Sequence, residues 1–169
     1  YVLTGAIVIF PISYIIGDVL TEVYGFAKAR LVVWVGFGDN LFAVLTFALV
    51  GILPAAGFWE GQAAYDTILG ATPRILAASF LAYLVGEFAN SYILARLKVI
   101  TAGRMLWLRT IGSTVVGQGL DSIVFVFVAF WGVLPTNVLL GTIALQALAK
   151  IAYEVLATPI TYAVIGWLK

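Results

Sequence analysis

The chain has 169 residues, of which 63% are apolar and 10% charged, with a net charge of +1 and a mean hydropathy of +1.11. A soluble domain carries about 25% charged residues, so water cannot solvate this surface, and so small a charge offers no footprint for nucleic acid. Cysteine and histidine are both absent, which excludes disulfides, thiol nucleophiles, a His general base, and zinc or haem held through those residues.

A helix needs about 20 mostly apolar residues to cross about 30 Å of hydrocarbon. Five stretches qualify: 2–20, 31–53, 74–95, 110–131 and 138–167. The last is long, and Pro159 is expected to kink it. The sequence therefore predicts a single domain over 1–169, an all-α integral membrane protein folded as a polytopic helical bundle with lipid as its outer solvent.

The four connections alternate in charge. Residues 21–30 hold Lys28 and Arg30, and residues 96–109 hold Arg96, Lys98, Arg104 and Arg109; residues 54–73 hold only Glu60 and Asp66, and 132–137 hold no charge. By the positive-inside rule the first and third connections and Lys169 are cytoplasmic, which puts Tyr1 outside. A further helix upstream would then give six, with both termini inside. Trp34, Trp59, Trp107, Trp131 and Trp167 fall near the ends of the spans, where an amphipathic ring suits the headgroup region. Residues 54–73, with Phe58, Trp59 and Tyr65, suit either a short interfacial helix or a loop.

Every span carries a side chain that is costly in lipid: Asp18, followed by Glu22; Asp39 beside Asn40; Glu87 with Asn90; Gln118 with Asp121; Lys150 with Glu154. A charge at a helix centre costs about 2.5–3.5 kcal/mol on insertion scales, so chance does not account for the set. Asp18, Asp39, Glu87 and Gln118 each stand nine or ten residues from a basic residue of the cytoplasmic connections, about 14–15 Å at the helical rise. They share a layer near the bilayer midplane. Asp121 and Lys150 are expected somewhat further out, with Glu154 between. Lys150 and Glu154 are four apart and suit a mutual ion pair, yet one lysine does not neutralise the acids around it. An acid-rich cavity suits proton coupling or a ligand presenting N–H donors.

A weak repeat accompanies the layer: Ser13-Tyr-Ile-Ile-Gly-Asp18, Ala82-Tyr-Leu-Val-Gly-Glu87 and Ser113-Thr-Val-Val-Gly-Gln118. Small residues four apart, Ser13 and Gly17, Ala78, Ala82 and Gly86, Ser113 and Gly117, allow close helix approach. The run Gly36-Phe-Gly-Asp-Asn40 suits either a broken helix facing a cavity or an intact, glycine-softened one.

The run Phe10-Pro-Ile-Ser-Tyr-Ile-Ile-Gly-Asp-Val-Leu-Thr-Glu-Val-Tyr-Gly25 resembles the bacterial queuosine precursor transporters, also known as a vitamin uptake family, as do the stretches 78–87, 117–121 leading into 129–131, and 150–154 followed by Pro159. The resemblance implies six helices, the first of them missing here, in the bacterial inner (plasma) membrane, and a transporter rather than an enzyme, with no cofactor or metal. It implies import of a purine-like 7-deazaguanine, such as its 7-cyano or 7-aminomethyl form. Such a base presents adjacent N–H donors, a carbonyl and a stacking face. On that implication Asp18, Glu87 or Asp121 accepts from the base edge, Asn90, Gln118 and Lys150 fix its carbonyl and ring nitrogens, and Phe10, Tyr14 or Tyr153 stacks, with Glu154 nearby. The alternatives are a membrane-embedded binding subunit served by a separate ATPase, and an intramembrane enzyme using paired acids. A homo-oligomer is compatible with either transport reading.

Overall fold

The computed structural model describes residues 3–102 and 106–168. Six α-helices follow one another: α1 (Phe10–Val19), α2 (Phe26–Ile52), α3 (Gln62–Leu69), α4 (Thr72–Ile100), α5 (Leu106–Phe130) and α6 (Thr136–Leu168). Among the described residues four stretches are long and apolar enough to cross a membrane: Ala27–Ile52, Gln62–Leu97, Ile111–Phe130 and Thr136–Leu168. The polytopic bundle read from composition is what the chain forms. The helices run several residues past the predicted ends at the basic connections, because apolarity marks only the part inside hydrocarbon, while Lys, Arg, Ala and Leu continue a helix beyond it.

The first expected span differs from the others. It is helical, but in three pieces: a 3₁₀ turn (Gly5–Val8), the ten residues of α1, and a π turn (Leu20–Tyr24). Pro11 lies at the start of α1 and has no N–H to continue the ladder from the preceding turn. At the other end Gly25 adopts φ 86°, a conformation that suits only glycine, and swings the chain into α2. Of the five stretches read from apolar length, four are full-length helices among the described residues and the first is segmented.

Two further expectations are settled. Helix α2 runs unbroken through Gly36 and Gly38, with Asn40 Nδ2 donating to the Gly36 carbonyl (2.9 Å), so the intact reading holds. In the 54–73 connection a helix does form, as α3, and the Tyr65 hydroxyl ties it to α2 by donating to the Phe47 carbonyl (2.8 Å). Helix α6 continues through Pro159. Trp59, Trp131 and Trp167 are exposed, in keeping with an interfacial belt, whereas the exposed Trp34 also sets its ring edge-on to Phe80 of α4. Trp107 lies outside the described side chains.

The core is built from small and polar side chains. Ala78, Ala82, Ser113, Ser122, Val126, Ala129, Leu139, Thr142 and Gln146 are all buried, while most large apolar residues face outward. Lipid tails are as apolar as leucine, so burying Leu or Phe gains little, and close backbone approach and polar contacts hold the helices instead. Helices α4 and α5 form the most extensive contact, α6 packs on α5 and α1, and α2 lies against α4 and the π turn. Arg74, at the start of α4, fastens the far end of α5 by donating from Nε to the Val128 carbonyl (2.7 Å) and from Nη2 to that of Trp131. The last carbonyls of a helix have no partner within it, and a cation suits the negative end of the helix dipole.

A polar cavity at the glycine crossing of α4 and α5

The site is built on two glycines. A Cβ placed on Gly86 would lie 3.0 Å from Asp121 Cβ and 3.1 Å from the Gly117 carbonyl oxygen; one on Gly117 would lie 2.9 Å from Asn90 Cβ and 3.0 Å from the Gly86 carbonyl oxygen. The contact is reciprocal. Asn90 follows Gly86 by one helical turn, as Asp121 follows Gly117, so each helix lays its polar side chain over the other's glycine. The small-residue spacing read from the sequence is therefore a true helix crossing here, with Ala78, Ala82 and Ser113 buried along the same seam. For Gly17 the same spacing leads elsewhere, since nothing lies within 4 Å of its added Cβ.

Beside this crossing is a cavity of about 570 Å³. Its polar wall comes from Glu87, Asn90, Gln118 and Asp121, with Arg30 and Tyr83 near by. Gly17 and Thr21 close it from the first helical stretch, and the Thr21 hydroxyl donates to the Gly17 carbonyl (2.9 Å). Four of the ten candidate residues thus meet in one space. The carbonyl oxygen of Asn90 is buried and receives no hydrogen bond among the described residues. Buried acceptors are normally paired, which sets this atom apart from the other polar groups of the wall.

Lys150 of α6 forms an ion pair with Asp121 Oδ2. This fastens α6 to α5 and leaves Asp121 half-buried at the edge of the cavity. Glu154 and Tyr153 are half-buried one turn along α6, and neither lines the cavity. Asp39 stands exposed on α2, away from it, so the common layer inferred from depth is only partly a common site. The side chains of Phe10, Tyr14, Asp18 and Glu22 lie outside the described residues.

Tyr83 was not among the residues singled out by sequence. Its ring lines the cavity and packs against Phe37, with centroids 5.5 Å apart, within a chain of rings that includes Phe80 and Trp34. Its place one turn before Glu87 was the available signal.

A second cavity of about 270 Å³ is lined by Lys150 as well as Asp121, and Asp121 borders both cavities.

A bundle of apolar helices around a polar chamber defines a multi-pass membrane protein. Residues 4–164 match the family described as "Putative vitamin uptake transporter", and the chain belongs to that family. It is 38% identical over 150 residues to the "Probable queuosine precursor transporter" of Bacillus subtilis (strain 168), covering 86% of this chain and 64% of that protein. It is 30% identical over 122 residues to the "Queuosine precursor transporter" of Escherichia coli (strain K12), covering 72% of this chain and 52% of that one. The chain thus spans between about half and two thirds of the length of these relatives. No solved structure gives a significant match.

Proposed function

We propose that the protein carries a queuosine precursor across the membrane and holds it in the cavity beside the Gly86–Gly117 crossing. The observation that carries this reading is the polar wall of that cavity, where the amides of Asn90 and Gln118 and the carboxylates of Glu87 and Asp121 converge. The names of the two relatives supply the ligand. A 7-deazaguanine offers its amino and ring N–H groups to Asp121 or Glu87 and a further N–H to the Asn90 carbonyl. Gln118 donates to its ring carbonyl, and Tyr83 offers a ring for stacking.

The basic end of the bundle, with Lys28, Arg30 and Arg96, faces the cytoplasm in this reading. The chamber then opens on the inner half of the bilayer, and transport requires it to exchange with the outer half by movement of helices around the site. Either a proton taken up by Glu87 or Asp121 drives the cycle, or the ligand runs down its own gradient.

The test is uptake of labelled 7-cyano- and 7-aminomethyl-7-deazaguanine by the purified full-length protein in lipid vesicles, with and without a proton gradient. Saturable uptake is expected, and stimulation by an acidic exterior selects the coupled form. Absence of saturable uptake in protein that still binds ligand contradicts autonomous transport and favours a binding subunit served by an ATPase.

A further inference from the structure

The smaller cavity has its own wall of chemistry-bearing side chains: Thr4, Ser79, Asp121, Phe125, Gln146 and Lys150. It extends toward the end of the bundle opposite the basic connections, reached by the first turns of α4 and the last turns of α5. Its composition parallels that of the larger chamber. There the amide is Gln118, the carboxylate Asp121 and the ring Tyr83; here the amide is Gln146, the carboxylate is again Asp121 and the ring is Phe125.

Gln146 is 3% exposed and accepts at Oε1 from the Thr4 hydroxyl (3.3 Å). It stands one turn from Lys150 and one from the buried Thr142, so α6 presents a polar stripe through the core where apolar packing would cost less. A volume of about 270 Å³ falls just below the roughly 300 Å³ at which small-molecule pockets begin. That suits one planar fused-ring heterocycle and nothing much larger.

We infer that this outer cavity is a second station for the same ligand, read by Gln146 and stacked on Phe125, and that the Asp121–Lys150 pair is the partition between the two stations. The inference rests on the transport reading above. Asp121 serves both stations: its carboxylate borders each cavity, so a ligand moving inward exchanges Gln146 for Gln118 while keeping the same acceptor. Separating Lys150 from Asp121 joins the cavities, and ligand N–H groups replace the ammonium at the carboxylate as it passes.

Because the chain contains no cysteine, an introduced thiol is unique within it. In a cysteine-free full-length background, Ser79→Cys reports on the outer cavity and Thr114→Cys on the inner one, with Ile75→Cys as a second outer reporter should Ser79→Cys fold poorly. A membrane-impermeant thiol reagent should label the outer thiol from one face of the vesicle and the inner thiol from the other. Added 7-aminomethyl-7-deazaguanine should slow both reactions several-fold, and Gln146→Leu should abolish protection of the outer thiol alone. Joint replacement Asp121→Asn with Lys150→Gln should make each thiol reachable from both faces. Protection of the inner thiol only, or outer protection indifferent to Gln146→Leu, overturns the second station and leaves the transport reading intact. Protection of neither thiol overturns both. One-sided labelling that persists in the joint variant overturns the partition.

Discussion

Asp121 and Asp39 occupy comparable places in the sequence, each well inside an apolar stretch, yet the fold gives them different surroundings. Asp121 sits on the Gly86 face of α4, paired with Lys150 and bordering both cavities. Asp39 is exposed on α2, a helix in which only Ala29 is buried among the described residues. Depth in the bilayer is a property of position along the chain; membership of a site is a property of the helix face and of how close the neighbouring backbone comes. In α4 and α5 glycines bring the backbones together, and in α2 Gly36 and Gly38 have nothing within 4 Å of an added Cβ.

The largest effect that tests this contrast comes from removing one member of the buried pair. Asp121→Ala leaves the Lys150 ammonium without that carboxylate in a low-dielectric core, and loss of one partner of such a pair typically costs about 3–5 kcal/mol. The midpoint of SDS-induced unfolding of the purified full-length protein should fall sharply, and replacing both residues, Asp121→Leu with Lys150→Met, should recover much of the loss. Asp39→Leu should not lower the midpoint comparably; an equal fall would erase the distinction.

Next in size is the glycine crossing. Gly117→Val puts side-chain atoms where Asn90 Cβ and the Gly86 carbonyl oxygen already stand at 2.9 and 3.0 Å, and overpacking of this kind costs about 1–3 kcal/mol or more. Gly36→Ala, in open space within a helix, should leave stability unchanged or raise it by under about 1 kcal/mol. The same unfolding assay reads both, and comparable destabilisation would mean that the close approach of α4 and α5 is not what holds them.

Much of this architecture was legible in the sequence. The places of the long helices, the small-residue seam and the convergence of Glu87, Asn90, Gln118 and Asp121 follow from apolar length, four-residue spacing and the cost of charge in lipid. What was not legible has identifiable causes. Lys150 and Glu154 are neighbours along one helix, so local spacing offered that pair, whereas the Asp121 contact depends on how α5 and α6 pack. Gln146 was not singled out, although Thr142, Gln146, Lys150 and Glu154 follow one another at four-residue intervals down a single face of α6. The first stretch begins its α-helix beside Pro11 and ends its π turn at Gly25, punctuation that hydropathy averaging does not register.

A smaller effect is expected from the ring cluster behind the chamber. Phe37 stands edge-on to Phe80 with centroids 5.2 Å apart and also touches Tyr83; such pairs contribute about 0.5–1.5 kcal/mol beyond area burial. Phe37→Leu should therefore lower stability slightly and loosen Tyr83, raising the KM for uptake by less than about tenfold. An unchanged KM with unchanged stability would remove α2 from the support of the site.

In the proposed reading, ligand is held at the α4–α5 crossing and not merely somewhere among the midplane acids. The most direct measurement is saturable binding of labelled 7-deazaguanine by the full-length protein carrying Asn90→Leu, set beside Asp39→Asn, with folding of each variant checked by unfolding midpoint. Losing the amide's hydrogen bonds is expected to cost about 1–3 kcal/mol, so Asn90→Leu should weaken binding about 5- to 150-fold while Asp39→Asn leaves it unchanged. Equal affinity in the two folded variants, or a larger loss in Asp39→Asn, would contradict the account.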